Sequence, residues 1–292
     1  MRKRVDVNER THTWLCESGL KIVGSSWGDD ASPSIVLLHG GGQTRHAWRK
    51  TARWLAKAGY YVLTFDARGH GESDWASEGQ YDQDAFVRDL TCIVRQTKVK
   101  KPALIGASMG GNTGLAAVGE GEMEASALVL IDAVPQTRRE GFERIKTFME
   151  AGKRGFESLD EVVLAISAYR GEPTRRPSME GLAKAVRLGS DGRYYWHWDP
   201  NFLEERERDF EARYDRLSAC AKRVEIPTLV VRGGSSDVVS EEGVKEFLRL
   251  CPHAEYLNIA EAGHMVTGDE NDSFGQATID FLGRNVPASS MQ

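Results

Sequence analysis

The stretch Pro102-Ala-Leu-Ile-Gly-Ala-Ser-Met-Gly-Gly-Asn-Thr-Gly-Leu-Ala-Ala-Val118 decides how the rest of the chain is read. Pro102 to Ile105 is a short apolar run that predicts a buried strand, and Met109 to Val118 is a run of small residues that predicts a helix packed closely on a sheet. Between them Gly106-Ala107-Ser108-Met109-Gly110 fits G-x-S-x-G. A serine held on so sharp a strand-to-helix turn needs small neighbours, because the strained backbone leaves no room for side chains. The turn lifts its hydroxyl above the sheet, and the helix N-terminus beneath favours developing negative charge.

Outward from this turn the pattern repeats. Ser34 to Leu38, Tyr60 to Phe65, Ala127 to Ile131, Thr228 to Val231 and Tyr256 to Ile259 read as further buried strands. Helices are expected at Arg45 to Lys57, Asp82 to Thr97, Glu241 to Leu250 and Asn271 to Leu282. Buried strands alternating with helices predict an α/β fold, a mainly parallel central sheet flanked by helices. Thr13 to Glu17 and Lys21 to Ser25, around Ser18-Gly19, suggest an antiparallel hairpin at its edge. From Pro135 to Lys222 the sequence turns polar and helix-prone and carries the aromatic run Tyr194-Tyr195-Trp196-His197-Trp198. The expected organisation is a core of residues 1–134 and 223–292 with a helical cap inserted at 135–222.

A serine hydroxyl is a weak nucleophile without a base. Of the seven histidines, His264 has the best position, in a loop between the last predicted strand and the last helix. His39 and His70 lie in glycine-rich turns and are expected to orient backbone, while His197 sits in the insertion within reach of a substrate. The acid that holds the imidazole is assigned to Asp237, after the Thr228–Val231 strand, with Asp132 as the alternative, since both keep the chain order serine, acid, histidine. The oxyanion donors are expected to be the N–H groups of Met109 and Gly41, with Gly42 second, from the loop His39-Gly40-Gly41-Gly42-Gln43. Gly42, Trp196, Trp198 and Met265 are the candidate substrate contacts, although aromatics in such a run equally build a cap's own core.

Composition bounds the alternatives. With 40% hydrophobic and 28% charged residues the chain is ordinary globular material, and a net charge of −5 argues against a nucleic-acid partner. No apolar run approaches the roughly 18–20 residues that cross a bilayer, so no membrane partner is expected. Met1-Arg2-Lys3-Arg4 is followed by polar residues rather than a signal core. Cys16, Cys92, Cys220 and Cys251 are scattered without ligand spacing and are expected as reduced thiols, hence a cytoplasmic protein. The sequence leaves the number of subunits open, a homodimer included.

Taken together, His39-Gly40-Gly41-Gly42, the segment Asp66-Ala67-Arg68-Gly69-His70-Gly71-Glu72-Ser73, the Gly106–Gly110 turn, Gly233-Gly234-Ser235-Ser236-Asp237 and Gly263-His264 resemble the α/β-hydrolase superfamily over nearly the whole chain. The resemblance is nearest to the capped serine branch of esterases, cofactor-free haloperoxidases (perhydrolases) and carbon–carbon bond hydrolases. It implies a catalytic triad, a cap, a small-molecule substrate, and neither metal nor organic cofactor. Ser108 sets the chain apart from the fold's epoxide hydrolases and haloalkane dehalogenases, which carry Asp at the turn, and from dienelactone hydrolases, which carry Cys. The expected chemistry is ester hydrolysis through an acyl-enzyme. Carbon–carbon cleavage or perhydrolysis would use the same triad, and a basic anchor for a carboxylate in the pocket would favour the former. A ligand receptor that has lost catalysis is the reading outside the enzymes.

Overall fold

The computed structural model describes residues 8–76, 80–97, 99–170, 182, 185–208, 210–260, 263 and 275–288. Its centre is an eight-stranded sheet of order β1-β2-β4-β3-β5-β6-β9-β10. The strands are β1 (Arg10–Leu15), β2 (Lys21–Trp27), β3 (Ser34–Leu38), β4 (Tyr61–Phe65), β5 (Ala103–Ala107), β6 (Ala127–Ile131), β9 (Thr228–Gly233) and β10 (Glu255–Ile259). β1 pairs antiparallel with β2, and β2 with β4; every other neighbouring pair is parallel. The chain therefore has the α/β architecture that its alternating pattern predicts, with the edge hairpin in place.

Alternation along each strand divides the core into two layers. Val36, Leu38, Leu104, Leu128, Leu130 and Val230 face α2 (Gln83–Thr97) and α3 (Met109–Gly119), whereas Ile35, Leu37, Ile105, Val129, Ile131 and Val231 face α1 (Arg49–Lys57) and the final helix α9 (Gly275–Asn285). α8 (Glu241–Leu250) closes the first layer with Val244 and Phe247, and Ser240 caps it by accepting the Gly243 N–H at 3.0 Å. The helix expected over Arg45–Lys57 opens instead as a 3₁₀ turn, Arg45–Trp48, before α1.

The polar stretch after Pro135 forms α4 (Arg139–Glu150), α5 (Leu159–Arg170), a hairpin of β7 (Val186–Leu188) and β8 (Tyr194–Trp196), α6 (Asn201–Arg208) and α7 (Phe210–Arg223). The hairpin is an element that the helical expectation lacked. α7 lies on the sheet itself: Leu217, Cys220 and Ala221 share a buried cluster with Leu104, Leu115 and Leu128. Trp196, Trp198, Phe148 and Phe156 make the core of the overlying part.

The thiol expectation needs a correction. Cys16, just after β1, and Cys92, in α2, form a disulfide with Cα atoms 5.9 Å apart. The two are 76 residues apart in sequence, so no spacing rule joins them; packing of α2 beside the edge hairpin does. Cys220 and Cys251 are buried free thiols, and burial pushes the Cys220 thiol up to about 11. No helix among the described residues is long and apolar enough to cross a membrane.

Space at the β5–α3 turn is the tightest constraint in the core. A Cβ on Gly106 would lie 2.4 Å from the Gly110 carbonyl, and one on Gly110 would lie 2.4 Å from the Leu38 carbonyl. Both neighbours are backbone and cannot turn aside. Gly110→Ala should therefore lower stability by about 1–3 kcal/mol, read as a reduced urea midpoint; an unchanged midpoint would show that α3 can lift away from β3.

Candidate active site

Ser108 follows the last residue of β5 and precedes α3 with φ +45° and ψ −110°, a conformation that L-residues rarely adopt. Its N–H donates to Ile131 O at 2.9 Å, and its carbonyl accepts from Asn112 N at 3.0 Å. Ala107 pairs with Ile131 across β5 and β6. The next residue on each strand, Ser108 and Asp132, therefore leaves the sheet side by side, and Asp132 too has a positive φ, +48°. Both line one cleft above the strand ends, together with Gly41, Met109 and Asn112.

Asp132 is 1% exposed. Its carboxylate accepts from Ser236 Oγ at 2.6 Å and from Gly233 N at 3.4 Å, so the loop after β9 fixes its orientation. Ser236 in turn accepts the N–H groups of Val238 and Val239. Asp237 is placed differently. Its Oδ2 takes Arg144 Nη1 of α4 at 2.7 Å, and Arg144 also donates to Tyr169 O and lies over the Tyr169 ring. Asp237 thus links the β9 loop to α4 and α5, and it does not line the cleft around Ser108. His264 and Met265 lie outside the described residues. β10 delivers the chain toward them beside Gly234, whose N–H donates to Ile259 O at 2.8 Å.

The glycine loop sorts its own donors. Gly40 N–H goes to Gln43 Oε1 at 3.0 Å and Gly42 N–H to His70 Nε2 at 3.1 Å. Among the described residues Gly41 N–H has no hydrogen-bond partner, and Gly41 faces the cleft. Met109 begins α3, so its N–H has no carbonyl one turn back within the helix. Gly42, counted as a substrate contact from sequence, is instead buried against histidines.

Those histidines form the support under the loop. His39 accepts Ala67 N–H at Nε2 (2.9 Å) and donates from Nδ1 to Gly40 O (2.8 Å). His70 accepts from Gly42 and donates from Nδ1 to Arg68 O at 3.0 Å. His197, from the insertion, accepts Gly71 N–H at Nδ1 (2.8 Å) and donates from Nε2 to Gly42 O (3.3 Å). Each ring serves one backbone donor and one backbone acceptor, which requires the neutral form. Asp66 locks the same region: it accepts the N–H groups of Arg45 and Glu72 and pairs with the buried Arg45 guanidinium. Thus His39 and His70 orient backbone, as their glycine-rich setting suggests, and His197 does so too instead of lining the cleft.

Trp196 and Trp198 stack with centroids 4.9 Å apart and pack against Phe148, Phe156 and His197. Both are buried and both lie outside the Ser108 cleft. The cleft's apolar wall comes from Phe142, Ile145 and Met149 of α4 and from Phe202 and Leu203 of α6. Four polar residues in it escaped the sequence reading, Thr137 among them. Asn112, one turn after Ser108 on α3, has a buried Oδ1 without a partner among the described residues; its i+4 spacing from Ser108 was the available signal. Lys146 and Arg213 also line the cleft, from a polar stretch where nothing in the sequence marks them out.

Comparisons with known proteins bear on the family and the fold. The sequence profile of the alpha/beta hydrolase fold family matches residues 33–270. The chain belongs to that family. It is 27% identical over 253 residues to the esterase Rv0045c of Mycobacterium tuberculosis, covering 84% of this chain and 80% of that one. It is 29% identical over 254 residues to a 3-hydroxybutyrate-oligomer hydrolase of Cupriavidus necator, covering 82% and 86%. Among solved structures, E-2-(acetamidomethylene)succinate hydrolase superposes with a TM-score of 0.79 at 19% identity, over 94% of this chain and 99% of the other, a likeness of fold.

Burial makes the histidine support pH-sensitive. Desolvation, opposed by nearby Asp66 and reinforced by His39 and His46, holds His197 down at about 4, and burial also lowers His39. A folded-state value below the unfolded one, about 6.5, means that the unfolded chain takes up the proton first as pH falls. Stability should then be lost from pH 6.5 down toward 4, with no further loss from His197 below that. His197→Gln should flatten the dependence over that window in denaturant titrations; an unaltered slope would show that His197 titrates normally.

Proposed function

We propose that the protein is a serine hydrolase of carboxylic esters, with Ser108 as nucleophile, His264 as general base and acid, and Asp132 as the carboxylate that orients the imidazole. The observation that carries this reading is the adjacent pair Ser108 and Asp132, both on strained backbone at neighbouring strand ends and both in one cleft. Two relatives, an esterase and a 3-hydroxybutyrate-oligomer hydrolase by name, support the ester chemistry. His264 follows Ala260 by four residues, a reach of up to about 14 Å, enough to return over the cleft. Ser108 attacks the acyl carbonyl as His264 takes its proton; the N–H groups of Gly41 and Met109 hold the oxyanion; His264 then protonates the leaving alcohol, and water reverses the sequence.

Asp237 is the competing acid, and the geometry favours Asp132. The Asp237 carboxylate is paired with Arg144 at 2.7 Å and lies outside the cleft, whereas Asp132 lines the cleft with Ser108 and is oriented there by a hydroxyl and an amide. A second reading, cleavage of a carbon–carbon bond in a carboxylate-bearing diketone, is favoured by one observation: Lys146 and Arg213 line the cleft.

Ser108→Ala should abolish hydrolysis of p-nitrophenyl esters while keeping the fold. Asp132→Asn should lower kcat by a factor on the order of 10³ or more, and Asp237→Asn should cost far less, its effect falling on thermal stability. The reverse ranking would return the acid role to Asp237. A diketone acid assayed beside the ester panel decides the bond: faster turnover of the diketone would replace the ester reading.

A further inference from the structure

One short segment of the insertion grips the oxyanion loop from above. Over residues 197–202, His197 reaches Gly42 O and Gly71 N, Asp199 N–H donates to Gly69 O at 2.8 Å, and Phe202 stands edge-on to the His70 ring at 4.8 Å. The Asp199 carboxylate accepts from Tyr81 Oη at 2.6 Å and from Asn201 N at 2.9 Å, so the segment is itself anchored at both ends. A Cβ on Gly41 would come within 3.2 Å of the Phe202 ring. The peptide unit that carries the Gly41 N–H is held by His39 at Gly40 O, and the two units that follow it are held through Gly42, whose N–H is drawn to His70 and whose O is drawn to His197. These two bonds fix the planes on both sides of Gly42, which itself has φ +75°, a freely mobile conformation for a glycine without such ties.

We propose that His197 is a positioning residue for the oxyanion hole: by bonding Gly42 O and Gly71 N together it couples the cap to the glycine loop and orients Gly41 N–H toward Ser108. This rests on the hydrolase reading given above. It makes the cap part of the catalytic geometry as well as a wall of the pocket, because a cap displaced from the turn at 66–73 releases the Gly42 carbonyl. Misplacement of a donor by a fraction of an ångström weakens its bond to the transition state more than its contact with substrate, so the effect falls on kcat.

Two amides separate the contacts. In His197→Asn the side-chain oxygen falls near the Nδ1 position and can still accept Gly71 N–H, but the side chain no longer reaches Gly42 O. In His197→Gln the longer side chain places an N–H near the Nε2 position and can still reach Gly42 O. His197→Asn should fold and lower kcat for a p-nitrophenyl ester roughly tenfold to a hundredfold, part of the 10²–10³ lost with a whole oxyanion donor, with KM little changed. His197→Gln should recover most of that loss. Hydrogen exchange of the amides over residues 40–43 should quicken in the Asn variant and not in the Gln variant, and the rate of Ser108 labelling by a fluorophosphonate should follow kcat. Equal kcat in both variants and the parent, or losses that track melting temperature alone, would overturn the positioning role. Quickened exchange with unchanged kcat would overturn it too, by separating the loop from the chemistry. Failure of the folded parent protein to be labelled at Ser108 is a different result: it would sink the hydrolase reading, and this inference with it.

Discussion

The left-handed backbone of Ser108 is the constraint on which the rest of the molecule depends. A non-glycine residue at φ +45° persists only when its surroundings over-determine it. Here they do: the Ser108 N–H is tied to β6 and its carbonyl to α3, and Gly106 and Gly110 bring helix and strand within a distance that no side chain tolerates. The consequence is geometric. The chain turns from strand to helix within one residue, so the hydroxyl stands clear of the sheet and the first amides of α3 point to the same space. The order of the sheet follows, because β3, β5 and β6 must lie side by side to bring the glycine loop, Ser108 and Asp132 to one edge.

The second layer of the design is a set of neutral imidazoles used as two-ended struts. A lysine or arginine in these places would offer donors only, and a carboxylate acceptors only; a neutral histidine offers one of each, 180° apart in role. His39, His70 and His197 each join an amide of one loop to a carbonyl of another. Asp66 supplies the single buried negative charge among them and is matched by Arg45. The arrangement gives rigidity to a glycine-rich loop whose own backbone has none.

How much of this the amino-acid sequence discloses depends on range. The strand–turn–helix around Ser108 is legible because it is local: apolar run, small residues and turn signature lie within 17 residues, Pro102 to Val118. The strands β3, β4, β5, β6 and β9 are legible for the same reason, each being a run buried on both faces, whereas the edge strands β1 and β10 are largely exposed. What is hidden is long-range. The Cys16–Cys92 bridge spans 76 residues. The Ser236–Asp132 bond spans 104, so the hydroxyl that orients a carboxylate cannot be recognised from spacing. The aromatic run at 194–198 announces a cluster but not its direction; its rings face Phe148 and Phe156 inside the insertion, while the cleft takes Phe202 and Leu203 from the next helix. His264 is a matter of chain order alone, since it lies outside the described residues.

Electrostatics bears most directly on the choice between the two acids. An imidazolium forming beside Ser108 is stabilised by a carboxylate to the extent that the carboxylate's charge is not already answered by another cation, and the attraction falls with distance and with solvent. Asp237 has a guanidinium at 2.7 Å and an exposed side of 27%, so a second cation gains little from it. Asp132 is buried, and a serine hydroxyl and a glycine amide on its oxygens orient it at the cleft. Burying such a charge is unfavourable in the resting protein. In the proposed mechanism that cost falls as the histidine takes its proton. Ser236 and Asp237, adjacent in sequence, serve opposite sides of the β9 loop: the hydroxyl is directed to Asp132, and the following carboxylate turns outward and ties the loop to Arg144 of α4.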